Sequence, residues 1–396
     1  MKVCGIVAEY NPFHNGHQFH IDETKRLGAT HVVAVMSGNF VQRSEPAIIS
    51  KFERARLAVL GGIDLVVELP VQYATGSSER FATGAIQILN SLGCVDEVSF
   101  GSECGDIDRL NEAVAAVADK DVLDLTRQLY ETGVSYPAAR EMVVERLYGK
   151  EVSALLRTSN NILGIEYIKV LNKLKSNMKP ITFRREGSSH DGEDTDGYFA
   201  SAKLLREEVR KGVDIINYVP FQTRLSLETA CSQGHLSGGI EALSQAILFS
   251  LRTMTKEDMN ALPDCADGLG NRLYNATSKF SDVFEIMNEA KTKRYTMSRV
   301  RRAVLSSLIG MDESYYFDPP YIRILALGRN GEELLNKIGK TKKLPMSHSL
   351  KELSKQGENA LRTAKLEAHA TDIYNLSLPR PALRGRDYSM PLFKED

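Results

Sequence analysis

The chain has 396 residues, 42% of them hydrophobic and 26% charged, which excludes a disordered or fibrous protein and allows two packed units with a sizeable core. Five scattered cysteines (Cys4, Cys94, Cys104, Cys231, Cys265) contain no CxxC pair, which argues against a disulfide framework or a zinc site. No apolar run approaches the roughly eighteen residues of a membrane span and no signal-peptide pattern opens the chain, so the expected compartment is cytoplasmic, with no membrane partner.

The net charge of −1 hides an asymmetry. From Arg272 onward there are 22 Lys and Arg against 15 Asp and Glu; the remainder carries 28 against 36. A basic C-terminal part on an acidic body suggests a polyanion held by one region only.

The predicted elements alternate. A strand over 2–8 leads to a helix over 16–27, a strand over 30–36, and a helix over 46–60 with Pro46 at its start. A strand over 64–69, a helix over 77–92 and a strand over 97–101 follow. Short Val-rich runs separated by helices imply a parallel sheet with right-handed crossovers, whose ligands sit at the carboxyl ends of the strands. Residues 106–150 read as a helical insertion. A strand over 179–185 and a helix over 201–211, capped by Ser201, resume the pattern. After Pro220 the strand signals fade; 241–253, 281–290, 298–308 and 331–339 are amphipathic helical stretches. The expectation is an α/β, Rossmann-like domain over 1–220 and a mostly α-helical, basic domain over 221–396.

The strongest chemical signal is Glu9-Tyr10-Asn11-Pro12-Phe13-His14-Asn15-Gly16-His17, between the first strand and the first helix. Two imidazoles three residues apart lie at the helix's first turn, where free N–H groups attract an anion. Gly16 lets the backbone approach a phosphate. Such a corner suits attack on the α-phosphate of ATP, because cationic donors stabilise the growing charge and the departing pyrophosphate.

The HNGH sequence and its lead resemble the HxGH nucleotidyltransferase superfamily. Further blocks narrow the match: 36–47 (MSGNFVQRSEPA), 51–55 (KFERA), 64–70 (DLVVELP), 100–103 (FGSE), 159–164 (SNNILG) and 293–296 (KRYT) resemble the tRNA(Met) cytidine acetate ligase family. One departure is Ser44, where the resemblance leads one to expect glycine.

The resemblance implies a two-step ligase. ATP and acetate give acetyl-adenylate and pyrophosphate; the acetyl group then passes to N4 of the wobble cytidine in elongator tRNA(Met). It implies catalytic His14 and His17 and a nucleotide pocket formed by Val7, Ala8, Glu9, Tyr10, Asn11, Pro12, Phe13, His14, Asn15, Gly16, His17, Gln18, Phe19 and His20, joined by Gly101, Asn160 and Arg184. Gly101 follows a strand, at an edge where a side chain would block a base or ribose. Asn160 reads equally as a helix N-cap. Arg184 is favoured over Arg185, which alternation turns to the opposite face. Residues 201–206 are similar to the Ser-Thr-x-x-Arg block of other superfamily members, with Ser201 and Arg206 over the departing phosphates. Lys51 and Arg54 share a helix face and read as phosphate or tRNA contacts, or as a surface pair.

In the basic part, Lys291, Lys293, Arg294, Arg299, Arg301 and Arg302 surround Tyr295. Clustered cations with an interleaved aromatic are an RNA-binding pattern, which makes 221–396 the expected RNA-binding domain, and the resemblance implies that the RNA is tRNA. His190-Asp191, in a Ser/Gly/Asp-rich loop, reads as surface. No carboxylate cluster marks a metal site, so magnesium is expected only as the companion of ATP. Two other readings remain: an adenylyltransferase of coenzyme synthesis, which leaves the basic half idle, and a non-catalytic ATP-binding tRNA adaptor, which leaves the phosphate motifs unexplained.

Overall fold

The computed structural model describes residues 1–185 and 197–395. His190 and Asp191 lie outside them. Ten strands are present among the described residues: β1 (Val3–Ala8), β2 (His31–Ser37), β3 (Phe40–Val41), β4 (Glu45–Pro46), β5 (Leu65–Leu69), β6 (Glu97–Ser102), β7 (Lys179–Arg184), β8 (Ile322–Leu327), β9 (Met346–Ser347) and β10 (Phe393–Lys394). The main sheet runs β10-β8-β5-β2-β1-β6-β7, with β9 beside β8. Its centre, β5-β2-β1-β6-β7, is wholly parallel.

Alternation along these strands explains why the sheet is buried on both sides. Val3, Val33, Val35, Leu65 and Val67 face one apolar layer with the helices Ser78–Leu92 and Ser159–Lys173. Cys4, Ile6, Val32, Ala34 and Val66 face the other, with Asn15–Arg26 and Lys51–Leu60. A third apolar cluster joins helices between Ser244 and Ile309 to the long helix Glu358–Asn375. The C-terminal half is thus mostly helical, as expected from sequence. Among the described residues no helix is long and apolar enough to cross a membrane.

Three findings depart from the sequence expectations. The helix expected over 46–60 begins only at Lys51, where Ser50 Oγ accepts from Glu53 N at 3.3 Å. Pro46 instead closes a two-residue antiparallel pair with Phe40, an edge position that needs no N–H from proline. The second departure is β8, which pairs antiparallel with β5 and so carries the C-terminal part into the N-terminal sheet. The third concerns Lys51 and Arg54, which are both fully buried and neither surface pair nor RNA contact. Arg54 donates to the carbonyls of Glu9, Ser37, Gly38 and Ile49, holding together the loops that leave β1 and β2.

Candidate active site

At the carboxyl end of β1 the chain turns through Tyr10, whose φ of 48° lies in the left-handed region, and enters its first helix at Asn15. His14 is the N-cap residue. Its Nδ1 accepts from Gly16 N at 3.0 Å, and its own N–H donates to His17 Nδ1 at 3.2 Å. Both Nδ1 atoms are therefore acceptors, which assigns the ring proton to Nε2 in each. The two imidazoles stack with centroids 3.7 Å apart, and Tyr10 meets His17 edge-on at 4.9 Å. Glycine at position 16 has a local reason: a Cβ there would come 2.9 Å from His14 Cε1. The paired rings thus sit as N–H donors at a helix N-terminus, the geometry expected of an anion site.

One cavity at this corner brings together most of the expected residues. Val7, Ala8, Glu9, Asn11, His14, Gly16, His17, His20, Gly101, Asn160, Ser201 and Arg206 all line it. The rest of the 7–20 stretch supports from behind. Tyr10 and Phe13 are buried against His17, and Phe19 packs on Phe183 and Phe199. Asn15 Nδ2 ties down the carbonyls of Tyr198 and Asn217, and Gln18 Nε2 reaches Asp22 and Gly61 O. Pro12 is buried and does not line the cavity.

Arg184 and Arg185 exchange the positions expected of them. Arg184 packs against Gly105, away from the cavity, while Arg185 lines it and donates to Asn160 Oδ1 at 2.9 Å. Strand alternation was the right signal; it needed the facing direction, which only the sheet supplies. Gly101 has its reason here too, since a Cβ would lie 2.7 Å from Arg185 Cγ. Burial first, and then the neighbouring Arg185, push the His20 imidazole down to about 3, so His20 stays uncharged while bonding Ser99 Oγ at 3.1 Å.

On the opposite wall, Ser201 caps the helix Ala202–Lys211 by accepting from Leu204 N at 3.2 Å. Arg206 donates to Asn11 O at 2.8 Å and to Glu45 at 2.6 Å, which fixes a guanidinium beside the histidine corner. Lys203 also lines the cavity. Glu9, held by Gln42 N at 2.8 Å, has its carboxyl raised above the usual range by burial. Residues that sequence reasoning missed in the lining are Gln42, Arg43, Phe81, Phe100, Leu163 and Tyr167, and the run Phe199, Ala200, Ala202 and Lys203 around Ser201. Four of them, Gln42, Arg43, Phe100 and Leu163, fall within motif blocks that carry the family resemblance. Among the described residues no group of three His, Cys, Asp or Glu could hold a metal ion.

The basic cluster divides in two. Lys291, Lys293 and Arg301 are exposed. Arg299 instead pairs with Asp267 at 3.3 Å and Arg302 with Asp264 at 2.7 Å. Arg294 lies over the ring of Tyr130 at 4.5 Å, linking the helical insertion to the C-terminal half. Tyr295 is buried and donates its hydroxyl to Asp267 O, so it offers no face to a base.

A parallel sheet whose first strand ends in an HxGH corner under a cationic wall defines a nucleotidyltransferase-type core. The profile of the HIGH Nucleotidyl Transferase family matches residues 1–388. Over its whole length the chain is 39% identical to the full-length tRNA(Met) cytidine acetate ligase of Caldanaerobacter subterraneus subsp. tengcongensis. It is 37% identical to that of Thermoanaerobacter pseudethanolicus, again over all of both chains. The crystal structure of apo Thermotoga maritima TmcAL superposes with a TM-score of 0.93 at 30% identity, covering both chains fully. The same protein bound with alpha-thio ATP superposes at 0.91. The chain belongs to the tRNA(Met) cytidine acetate ligase family.

Proposed function

We propose that this protein is an ATP-dependent ligase that activates acetate as acetyl-adenylate and transfers the acetyl group to N4 of the wobble cytidine of elongator tRNA(Met). The observation that carries it is the stacked pair His14–His17, whose Nε2–H donors share a cavity with Lys203, Arg206 and Arg185. One acetate oxygen attacks the α-phosphorus of ATP, and the bond to the β-phosphate oxygen breaks to release pyrophosphate. The imidazole Nε2–H groups donate hydrogen bonds, and the Lys203–Arg206 wall supplies fixed positive charge, where negative charge accumulates. The cytidine N4 then attacks the acetyl carbon, AMP leaves with the carboxyl oxygen, and N4 loses a proton. Activation is required because acetate alone offers no good leaving group. Magnesium enters this reading as the triphosphate's counter-ion.

In the same reading the nucleotide contacts come from the 1–220 part, with Arg185 in the place given to Arg184 by sequence. The tRNA contacts come from the exposed Lys291, Lys293 and Arg301 of the 221–396 part, with Arg294 beside them; Arg299 and Arg302 brace the surface from within. The test is pyrophosphate exchange into ATP against a panel of carboxylic acids. Exchange that needs acetate and no RNA is the expected result. A requirement for a phosphorylated coenzyme precursor would favour the adenylyltransferase reading. Absence of exchange with any acid, alongside salt-sensitive tRNA binding, would favour the adaptor.

A further inference from the structure

We propose that Glu103 is a positioning residue for the nucleotide: it orients the Asn160 amide so that Asn160 holds Arg185 at the cavity wall. The inference rests on the ATP-binding reading above. Glu103 and Asn161 belong to motif blocks whose neighbours Gly101 and Asn160 took roles while they did not. In the fold they form a reciprocal lock between the end of β6 and the start of the helix Ser159–Lys173. Glu103 Oε1 accepts from Asn160 N at 3.2 Å and Nδ2 at 2.7 Å, and Oε2 accepts from Asn161 N at 2.8 Å. In return Asn161 Oδ1 accepts from Glu103 N at 3.0 Å and Cys104 N at 3.2 Å.

The lock has two physical effects. Thr158, the N-cap residue, makes no side-chain cap bond, so the Glu103 carboxylate caps the helix from another element, where the helix end favours a negative charge. Burial disfavours that carboxylate, yet the donors from Asn160 and Asn161 hold its pKa below the usual range. The second effect is directional. A carboxylate only accepts, so it must face Asn160 Nδ2; that leaves Oδ1 for the Arg185 guanidinium at 2.9 Å. Turned over, the amide would set N–H against N–H, and Arg185 would lose its anchor. Arg185 then crosses Gly101 into the cavity shared with His14 and His17.

The experiment measures the Kd for ATP by calorimetry, with KM for ATP and kcat in acetate-dependent exchange, for Glu103→Gln, Asn160→Ala, Arg185→Ala and the double variant Glu103→Gln/Arg185→Ala. Each single change should weaken ATP binding about tenfold, the size of one lost hydrogen bond to a charged group, with kcat within about twofold. The double variant should bind no more weakly than Arg185→Ala alone, because Glu103 acts through Arg185. Arg184→Ala should leave Kd unchanged. If Glu103→Gln does not fold, Asn160→Ala keeps both backbone bonds to Glu103 and breaks only the relay. An unchanged Kd in Glu103→Gln or Asn160→Ala, or losses that multiply in the double variant, overturns the proposal. Wild-type protein that binds ATP without acid-dependent exchange would overturn the ligase reading instead, and the Kd comparison would still decide the role of Glu103.

Discussion

Lys51 and Asp387 are 336 positions apart in the chain, yet Lys51 Nζ donates to Asp387 Oδ2 at 2.8 Å with both side chains fully buried. Glu68 joins Lys51 at 2.6 Å, and Arg323 closes the group through Glu68 at 2.9 Å and Asp387 at 2.7 Å. Glu367 stands at its edge, 3.6 Å from Lys51. This network ties the helix Lys51–Leu60 and β5 to β8 and the C-terminal segment, so both halves of the chain share one polar core.

Removing one member strands its partners in a low-dielectric interior. Lys51→Met should therefore lower stability by about 3–5 kcal/mol, the usual cost of breaking a buried ion pair from one side. Urea unfolding measures it, and a loss below about 1 kcal/mol would mean that water reaches the cluster.

The two carboxyls Asp387 and Glu367 should respond to pH in opposite directions. Burial disfavours the Asp387 carboxylate, but Lys51 and Arg323 outweigh it and hold its pKa at about 2. Stability from such a depressed group is in place above the unfolded value of about 3.9 and is lost as pH falls toward 2. Burial and the neighbouring Glu68 raise Glu367 well above the usual range despite Lys51. A raised carboxyl gives stability that is full below the unfolded value of about 4.3 and is lost as pH rises through the folded one. Glu367→Gln should therefore flatten the stability curve on the neutral side and leave the acid limb intact. Thermal melts over a pH series would refute this if the neutral slope stayed that of wild type.

At the active corner, His17→Ala should reduce acetate-dependent exchange by roughly 10²–10³-fold, the cost of removing one preorganised donor to a developing charge. Binding of tRNA should survive, because the exposed basic residues lie in another part of the chain. Full exchange activity in this variant would remove the HNGH corner from the chemistry.

The exposed members of the basic cluster should act uniformly on RNA. Lys293→Ala with Arg301→Ala should weaken tRNA binding and flatten its salt dependence by about 0.7–0.9 for each phosphate no longer neutralised. Arg302→Ala should chiefly cost stability, since its guanidinium serves Asp264. Equal tRNA affinity of the first pair at several salt concentrations would exclude this surface.

Ser44 has a φ of 58°, a conformation that costs a side chain free energy and glycine none. Ser44→Gly should raise stability by about 1 kcal/mol, read as a higher denaturation midpoint. A lower midpoint would show that burying the hydroxyl side chain outweighs the backbone term.

Much of the nucleotide core was written locally. The alternating runs of β1, β2, β5 and β6 and the HNGH corner depend on periodicity, glycine and neighbouring backbone groups, which sequence records directly. The departure at Ser44 was visible too, although its left-handed backbone was not. Tertiary structure alone decided which of Arg184 and Arg185 enters the cavity, because facing depends on the strand's place in the sheet. It alone turned Lys51 and Arg54 inward, since their partners come from Ser37, Glu68, Asp387 and other distant positions. It alone drew β8 across the expected boundary at residue 220 to pair with β5, and it separated Arg299 and Arg302 from the exposed cations. In each case the deciding partner is far away in the chain, and charge or polarity at a position does not say whether water or another buried group will satisfy it.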